Sequence, residues 1–411
     1  MSDILALDFG TSNSAAATPT AQGFQRIAIE PGAETVPTAV FFPVGERMRI
    51  GSAAADALLD GEEGRYMRAL KSALGLPLAH EPRLLGGRRR TIAGVIAEFL
   101  AETRRRAEAA TGRRFRRVLS GRPVRFHTAD PAKDEQAERD LRACYLDAGF
   151  QEVSFLPEPE AAAMACQGMG ASYRIGLIVD IGGGTSDFSV FRSAGARPEI
   201  LASHGVRLGG TDFDHAVSMT HAMPALGSDG QLRREMGDGV TPMPRALYFA
   251  LATWSTIPFL YTPEMRREAK QMARLAVEPA KVSRLAAVLE RELGHELAFA
   301  VERGKIAANR GDAGAEIAME FIEEKLAAAV SADSLDAALF PSRAVLRAAA
   351  AEAIEMAGVA PASIGRIILV GGSSLMAFVS DEMRALCPEA EILRSAAFTA
   401  VIDGLALSAG R

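Results

Sequence analysis

Cysteine is scarce in this sequence, and lysine nearly so. The three cysteines, Cys144, Cys166 and Cys387, stand far apart and lack metal-ligand or disulfide spacing, which suits a reducing compartment. Lysine and arginine total 46, of which six are lysines, leaving 46 minus 6, or 40, arginines. Where arginine is the default cation, a retained lysine points to a use for a compact ammonium. Aromatic residues make up 6% and tryptophan occurs once, as Trp254. There is no excess of positive charge: the net charge is −5, which implies no general affinity for nucleic acid or acidic membranes. The arginine clusters at 88–90, 104–106 and 113–117 read as solvated faces and turns. No uncharged apolar run approaches a membrane span, and Asp3 and Asp8 interrupt the N-terminal apolar stretch, so no signal peptide is expected. The expectation is a soluble, cytoplasmic protein. Its 411 residues exceed what one core organises and predict two or more domains.

Two common phosphate-binding signatures are also missing. No lysine follows the glycines as a Walker A loop requires, and no GxGxxG opens a helix as in a dinucleotide fold. What stands instead is residues 176–191, GLIVDIGGGTSDFSVF. An apolar run ends on Asp180, Gly182, Gly183, Gly184 and Thr185 form a turn, and a β-rich pattern resumes at Asp187. The pattern is strand, glycine turn, strand. Lacking Cβ atoms, the turn can take positive φ angles and bring backbone N–H groups close to an anion.

Residues 4–18, ILALDFGTSNSAAAT, repeat that grammar. A strand ends on Asp8, and Gly10, Thr11, Ser12 and Asn13 make the turn. Two such hairpins, one in each half of the chain, predict two similar lobes facing each other across a nucleotide cleft, with Asp8 and Asp180 meeting at a metal.

The remaining pattern alternates strands and helices, an α/β architecture with mixed sheets. Strands are expected at 25–28, 39–42, 117–119, 153–156, 200–203 and 364–370. Helices are expected at 52–59, 65–74, 91–110, 133–148, 161–167, 285–308 (one continuous helix), from 374 to about 386, and 397–409. Thr211 or Asp212 is expected to cap the helix after LGGTDFD. Residues 219–280 read as irregular, loop-rich around 226–244, with a buried element only near Trp254.

Five segments occur in a telling order: LDFGTSNS (7–14), EPEAAAMA (158–165), VDIGGGTSDFSVF (179–191), LGGTDFD (208–214) and ILVGGSS (368–374). Together they resemble the actin/hexokinase/heat-shock ATPase superfamily, most of all the ATPase domain of the DnaK-type chaperones of the heat shock protein 70 family, and within it the YegD-type group. The resemblance covers nearly the whole chain. It implies an actin-like ATPase fold with two duplicated lobes and a nucleotide cleft. Lobe I would be 1–173, with core 1–34 and 92–173 and an inserted subdomain 35–91. Lobe II would be 174–411, with core 174–218 and 331–411 and a mainly helical insertion 219–330. No peptide-binding β-sandwich is expected after it.

The resemblance also assigns roles. Asp8 and Asp180 would hold a hydrated Mg2+ with ATP or ADP. Gly10, Thr11, Ser12 and Asn13 would line the first phosphate loop; Gly182, Gly183, Gly184 and Thr185 the second, with Gly209 and Gly210 beside the nucleotide. Lys71 would be the catalytic lysine, Glu158 and Asp187 would orient the attacking water, and the Thr185 hydroxyl would meet the γ-phosphate. Glu302 and Lys305 would contact the ribose and adenine, and Gly371, Gly372 and Ser373 the adenosine. Ile306 and Leu375 depart from the pattern, standing where the family carries arginine. The implied function is a slow ATPase of chaperone type whose lobe closure is read by a protein client or co-chaperone. An actin-like filament ATPase and a sugar-type kinase are the alternatives. The oligomeric state is left open.

Overall fold

Strand β1 (Ile4–Phe9) is sealed on both sides, with Leu5, Ala6, Leu7 and Phe9 fully buried. It is therefore a central strand. Antiparallel to it runs β2 (Asn13–Thr20), and beyond that β3 (Gly23–Ile27). On its other edge, β4 (Arg117–Arg122) and then β5 (Glu152–Pro157) lie parallel. A computed structural model describes residues 3–127, 130–165, 175–194, 197–394 and 399–410. Cys166 lies outside them.

The second half repeats the plan. The central strand is β6 (Ile175–Ile181), flanked antiparallel by β7 (Ser186–Ala194) and β8 (Arg197–Val206). On the parallel side come β9 (Arg366–Val370) and β10 (Glu391–Arg394). The strand orders are β5-β4-β1-β2-β3, with the short strand Val36–Pro37 added on β2, and β8-β7-β6-β9-β10. Each sheet thus opens with a three-strand meander and closes with two parallel strands, the duplication expected from the two hairpins. This is the actin-like ATPase fold.

Two alanine-rich helices fill the space between these sheets: α1 (Glu158–Ala165) and α2 (Ala400–Ala409). Ala161, Ala162, Ala163, Ile402, Leu405 and Ala406 form one buried cluster with Ala6 and Ala17 of the first sheet and Ile178, Ile368 and Val370 of the second. Small side chains let the helices approach closely. A Cβ on Gly404 would stand 1.6 Å from the Ala161 carbonyl oxygen. At the rim, Arg26 of β3 donates two hydrogen bonds of 2.7 Å to the Asp403 carboxylate.

By compactness the chain forms two units, residues 1–210 with 343–411, and residues 211–342. The second contains helices Pro263–Leu275, Pro279–Glu290 and Gly294–Arg310 and two small two-stranded sheets. Among the described residues no helix is long and apolar enough to cross a membrane.

Several local expectations are corrected. Residues 65–74 are not one helix. Gly64–Arg68 pairs antiparallel with Ala39–Pro43, burying Tyr66 and Met67, and a short 3-10 turn, Leu70–Ala73, follows. Nor are 285–308 one helix: Glu292, at φ 57°, breaks them between Glu290 and Gly294. The helix after the LGG segment starts at Gly210, whose N–H donates to the Gly182 carbonyl at 3.0 Å. Thr211 and Asp212 are therefore first-turn residues and not caps, and the Asp212 carboxylate favours the helix dipole there. Around 226–244 the chain makes a small hairpin, and 263–310 is largely helical. Helix α1 runs to Ala165, and the expected positions 166–167 and 397–398 lie outside the described residues.

Candidate active site

The two glycine turns, at the ends of β1 and β6, meet. A Cβ on Gly183 would stand 2.4 Å from the Ser12 hydroxyl oxygen and 3.1 Å from the Thr11 Cβ; one on Gly184 would stand 3.3 Å from Thr11 Oγ1. None of Gly182, Gly183 and Gly184 has φ in the left-handed region. At Gly183 space, and not the positive φ expected from the sequence, is what requires glycine. Gly10 lies against the Asn13 carbonyl. The first turn is braced by Thr38 N–H donating to the Ser12 carbonyl at 2.9 Å, and the second by Gly182 N–H donating to the Thr185 carbonyl at 3.0 Å. Gly209 sits against Gly182 and Gly184, and Gly210 against the Ser373 hydroxyl.

Beside these turns a small pocket is lined by Thr11, Lys71, Gly184 and Thr185, together with Phe126 and Arg207. Lys71 is buried, and its ammonium donates to Glu158 Oε1 at 2.8 Å. Phe126 presents its ring 6.0 Å from the same nitrogen. Glu158 opens α1, so the sheet-to-helix junction after β5 aims its carboxylate into the site.

Asp180 and Asp187 face each other across β6 and β7, and Val124 N–H donates to Asp187 Oδ1 at 2.9 Å. Burial, with the added charge of Glu158, pushes Asp8 up to about 7. Asp180 and Asp187 rise well above the ordinary aspartate value for the same two causes, with the charge of Asp8 adding at Asp180 and that of Asp180 adding at Asp187. Burial pulls the Lys71 ammonium down, but Glu158, Asp8 and Asp187 outweigh it, and the net shift is upward. Four carboxylates thus share one ammonium. Such a cluster favours an added cation. Among the described residues no three acidic, histidine or cysteine side chains converge to ligate a metal directly.

Gly371 adopts φ 81°, and a Cβ there would meet the Ile181 carbonyl at 2.3 Å. It lets Gly372–Leu375 turn tightly beside the end of β6. Leu375 is 36% exposed.

Glu302 and Lys305 lie in the second unit, on Gly294–Arg310. The Lys305 ammonium is buried and donates to Asp214 Oδ1 at 2.6 Å, while Trp254 Nε1 donates to Asp214 Oδ2 at 3.0 Å. Burial raises the Asp214 carboxyl, the Lys305 charge opposes this, and Glu302 adds to it. Ile306, next to Lys305, is 38% exposed. Sequence reasoning missed Asp214 and Trp254 as partners; the second aspartate of LGGTDFD was the available signal. Replacing Asp214 by alanine leaves a buried ammonium uncompensated, a loss of about 3–5 kcal/mol. Urea unfolding followed by the fluorescence of the single tryptophan will show that loss, and an unchanged midpoint would refute it.

Comparison with known proteins adds a likeness of sequence. Residues 85–231 match the family model described as Hsp70 protein. Over this stretch the chain is similar to the heat shock protein 70 family. Over 228 residues it is 30% identical to "Chaperone protein HscA homolog" of Azoarcus sp. (strain BH72), covering 51% of this chain and 36% of that protein. "Chaperone protein HscA" of Edwardsiella ictaluri (strain 93-146) is 30% identical over 232 residues, covering 52% and 36%. "Chaperone protein DnaK" of Thermoplasma acidophilum is 30% identical over 229 residues, covering 53% and 35%. The match thus spans about a third of the length of these curated heat shock protein 70 relatives.

Proposed function

We propose that this chain is a heat shock protein 70 domain, of the YegD-like kind, that binds ATP and ADP with Mg2+ and hydrolyses ATP slowly. In this reading the sheets built on β1 and β6 are the cores of two lobes, and their closure is read by a protein client or co-chaperone in the cytoplasm. The observation that carries the reading is the convergence of both glycine turns on the Lys71–Glu158 pair.

Phosphoryl transfer depends on positioning and charge neutralisation. Thr11, Ser12, Asn13 and Gly182–Thr185 would offer N–H and hydroxyl groups to the phosphates, and Lys71 would neutralise charge on the γ-phosphoryl oxygens. Glu158 and Asp187 would accept hydrogen bonds from the attacking water and orient it. Asp8 and Asp180 have the hard donors and the excess negative charge to hold Mg2+ through its waters, and the ion when bound would supply further neutralisation of phosphate charge. On the nucleoside side the reading assigns Gly371, Gly372 and Ser373.

Thr185→Val removes one hydroxyl at the γ-phosphate position. Single-turnover hydrolysis should fall about 10-fold or more, one hydrogen bond to a charged group being worth roughly 1.5–3 kcal/mol, with nucleotide affinity little changed. Equal loss of both would remove Thr185 from the role.

The raised carboxyls fix the sign of a pH effect. A group whose pKa rises on folding adds stability below its ordinary value, near 3.8, and loses it as pH climbs toward the raised value, about 7 for Asp8. Above pH 7 Asp8 becomes anionic beside the other carboxyls, so Mg2+ should raise the melting temperature more at pH 8 than at pH 5.5. Equal shifts at both pH values would contradict the carboxylate site.

A further inference from the structure

The turn that presents Lys71 is held from outside itself. It is entered through Ala69 at φ 58°, a left-handed conformation for a residue with a Cβ, and its own 3-10 geometry is short. Three external contacts fix it. Arg207 Nη2 donates to the Ser72 carbonyl at 3.1 Å, His127 Nε2 donates to the Leu74 carbonyl at 2.7 Å, and Gly75 N–H donates to Asp140 Oδ2 at 2.9 Å. Arg207 and His127 are also joined to each other, Arg207 Nη1 donating to His127 Nδ1 at 3.1 Å. A carbonyl on Nε2 and a guanidinium on Nδ1 assign the neutral imidazole with its proton on Nε2. Both side chains line the pocket that holds Lys71, Thr11 and Thr185.

Arg207 follows β8 directly and precedes Gly209, which packs on the Gly182–Gly184 turn. It therefore ties the second glycine turn to the lysine turn. We infer that Arg207, acting with His127, is a positioning residue that sets the Lys71 ammonium against Glu158 and couples that placement to the second turn. Its effect on hydrolysis rests on the ATPase reading; its effect on Lys71 does not.

The test uses the full chain labelled with 15N-lysine. Only six lysine ammonium groups are present, and Lys71→Ala identifies the Lys71 signal. Lys305, buried on Asp214 in the other unit, is the internal control. In Arg207→Ala the slowly exchanging Lys71 ammonium resonance should disappear while that of Lys305 persists. Hydrolysis should fall roughly 10–100-fold, as misplacement by about an ångström does, with nucleotide affinity retained. Millimolar guanidinium should restore part of both, and His127→Gln, which keeps a donor and an acceptor, should be milder than His127→Ala. An unchanged Lys71 signal in Arg207→Ala overturns the inference, as does loss of both signals that guanidinium does not reverse. A parent protein that never hydrolyses ATP, yet loses the Lys71 signal in Arg207→Ala, overturns the ATPase reading and supports the positioning role.

Discussion

Replacing Lys71 by alanine lowers single-turnover ATP hydrolysis by on the order of 10²–10³-fold, the usual cost of removing one preorganised charge-stabilising group. The ammonium is hydrogen-bonded to Glu158 in a pocket that also feels Asp8, Asp180 and Asp187. Without it, charge developing on the γ-phosphoryl oxygens meets carboxylates and loses the ammonium that is hydrogen-bonded among them. Nucleotide affinity should stay within roughly tenfold, about 1.4 kcal/mol, because the glycine turns carry separate contacts. Rapid quench of a preformed ATP complex separates the two quantities. Parallel loss of binding and hydrolysis would mean that Lys71 supports the fold or the nucleotide and not the chemical step.

Replacing Gly404 by valine should have the largest effect on folding. Its missing Cβ is what allows α2 to cross α1 against the backbone of Ala161, where even one added carbon would stand 1.6 Å from a carbonyl oxygen. Overpacking a core costs about 1–3 kcal/mol when side chains can shift. Here both neighbours are helix backbone, and the cluster they fill joins the two sheets. The valine variant should therefore be poorly soluble or melt well below the parent, with alanine intermediate, as read by circular dichroism. A parent-like melting temperature for Gly404→Val would show that the crossing is loose.

The sequence made the two hairpins legible because each carries its own code: an apolar run closed by an aspartate, then small residues where another backbone approaches. The repeated sheet plan followed from that duplication. Less legible were features decided by distant partners. Residues 65–74 look amphipathic, yet Tyr66 and Met67 are claimed by pairing with Ala39–Pro43, a choice no local window contains. The break at Glu292 is a left-handed residue with no glycine to announce it. Asp214 was visible in LGGTDFD, but its engagement by Lys305 and Trp254, 91 and 40 residues away, is a tertiary fact. The same holds for Arg207 and His127, which belong to no motif and reach the lysine turn only once the sheets are built.

The central claim is that two glycine turns and a shared carboxylate cluster make one Mg2+-dependent nucleotide site. Titrating the purified protein with ATP and ADP, with and without Mg2+, by calorimetry tests it most directly. The account predicts saturable, one-to-one binding of both nucleotides that weakens when Mg2+ is withheld and again in Asp180→Asn. Absence of binding, or binding indifferent to both Mg2+ and Asp180, would contradict it.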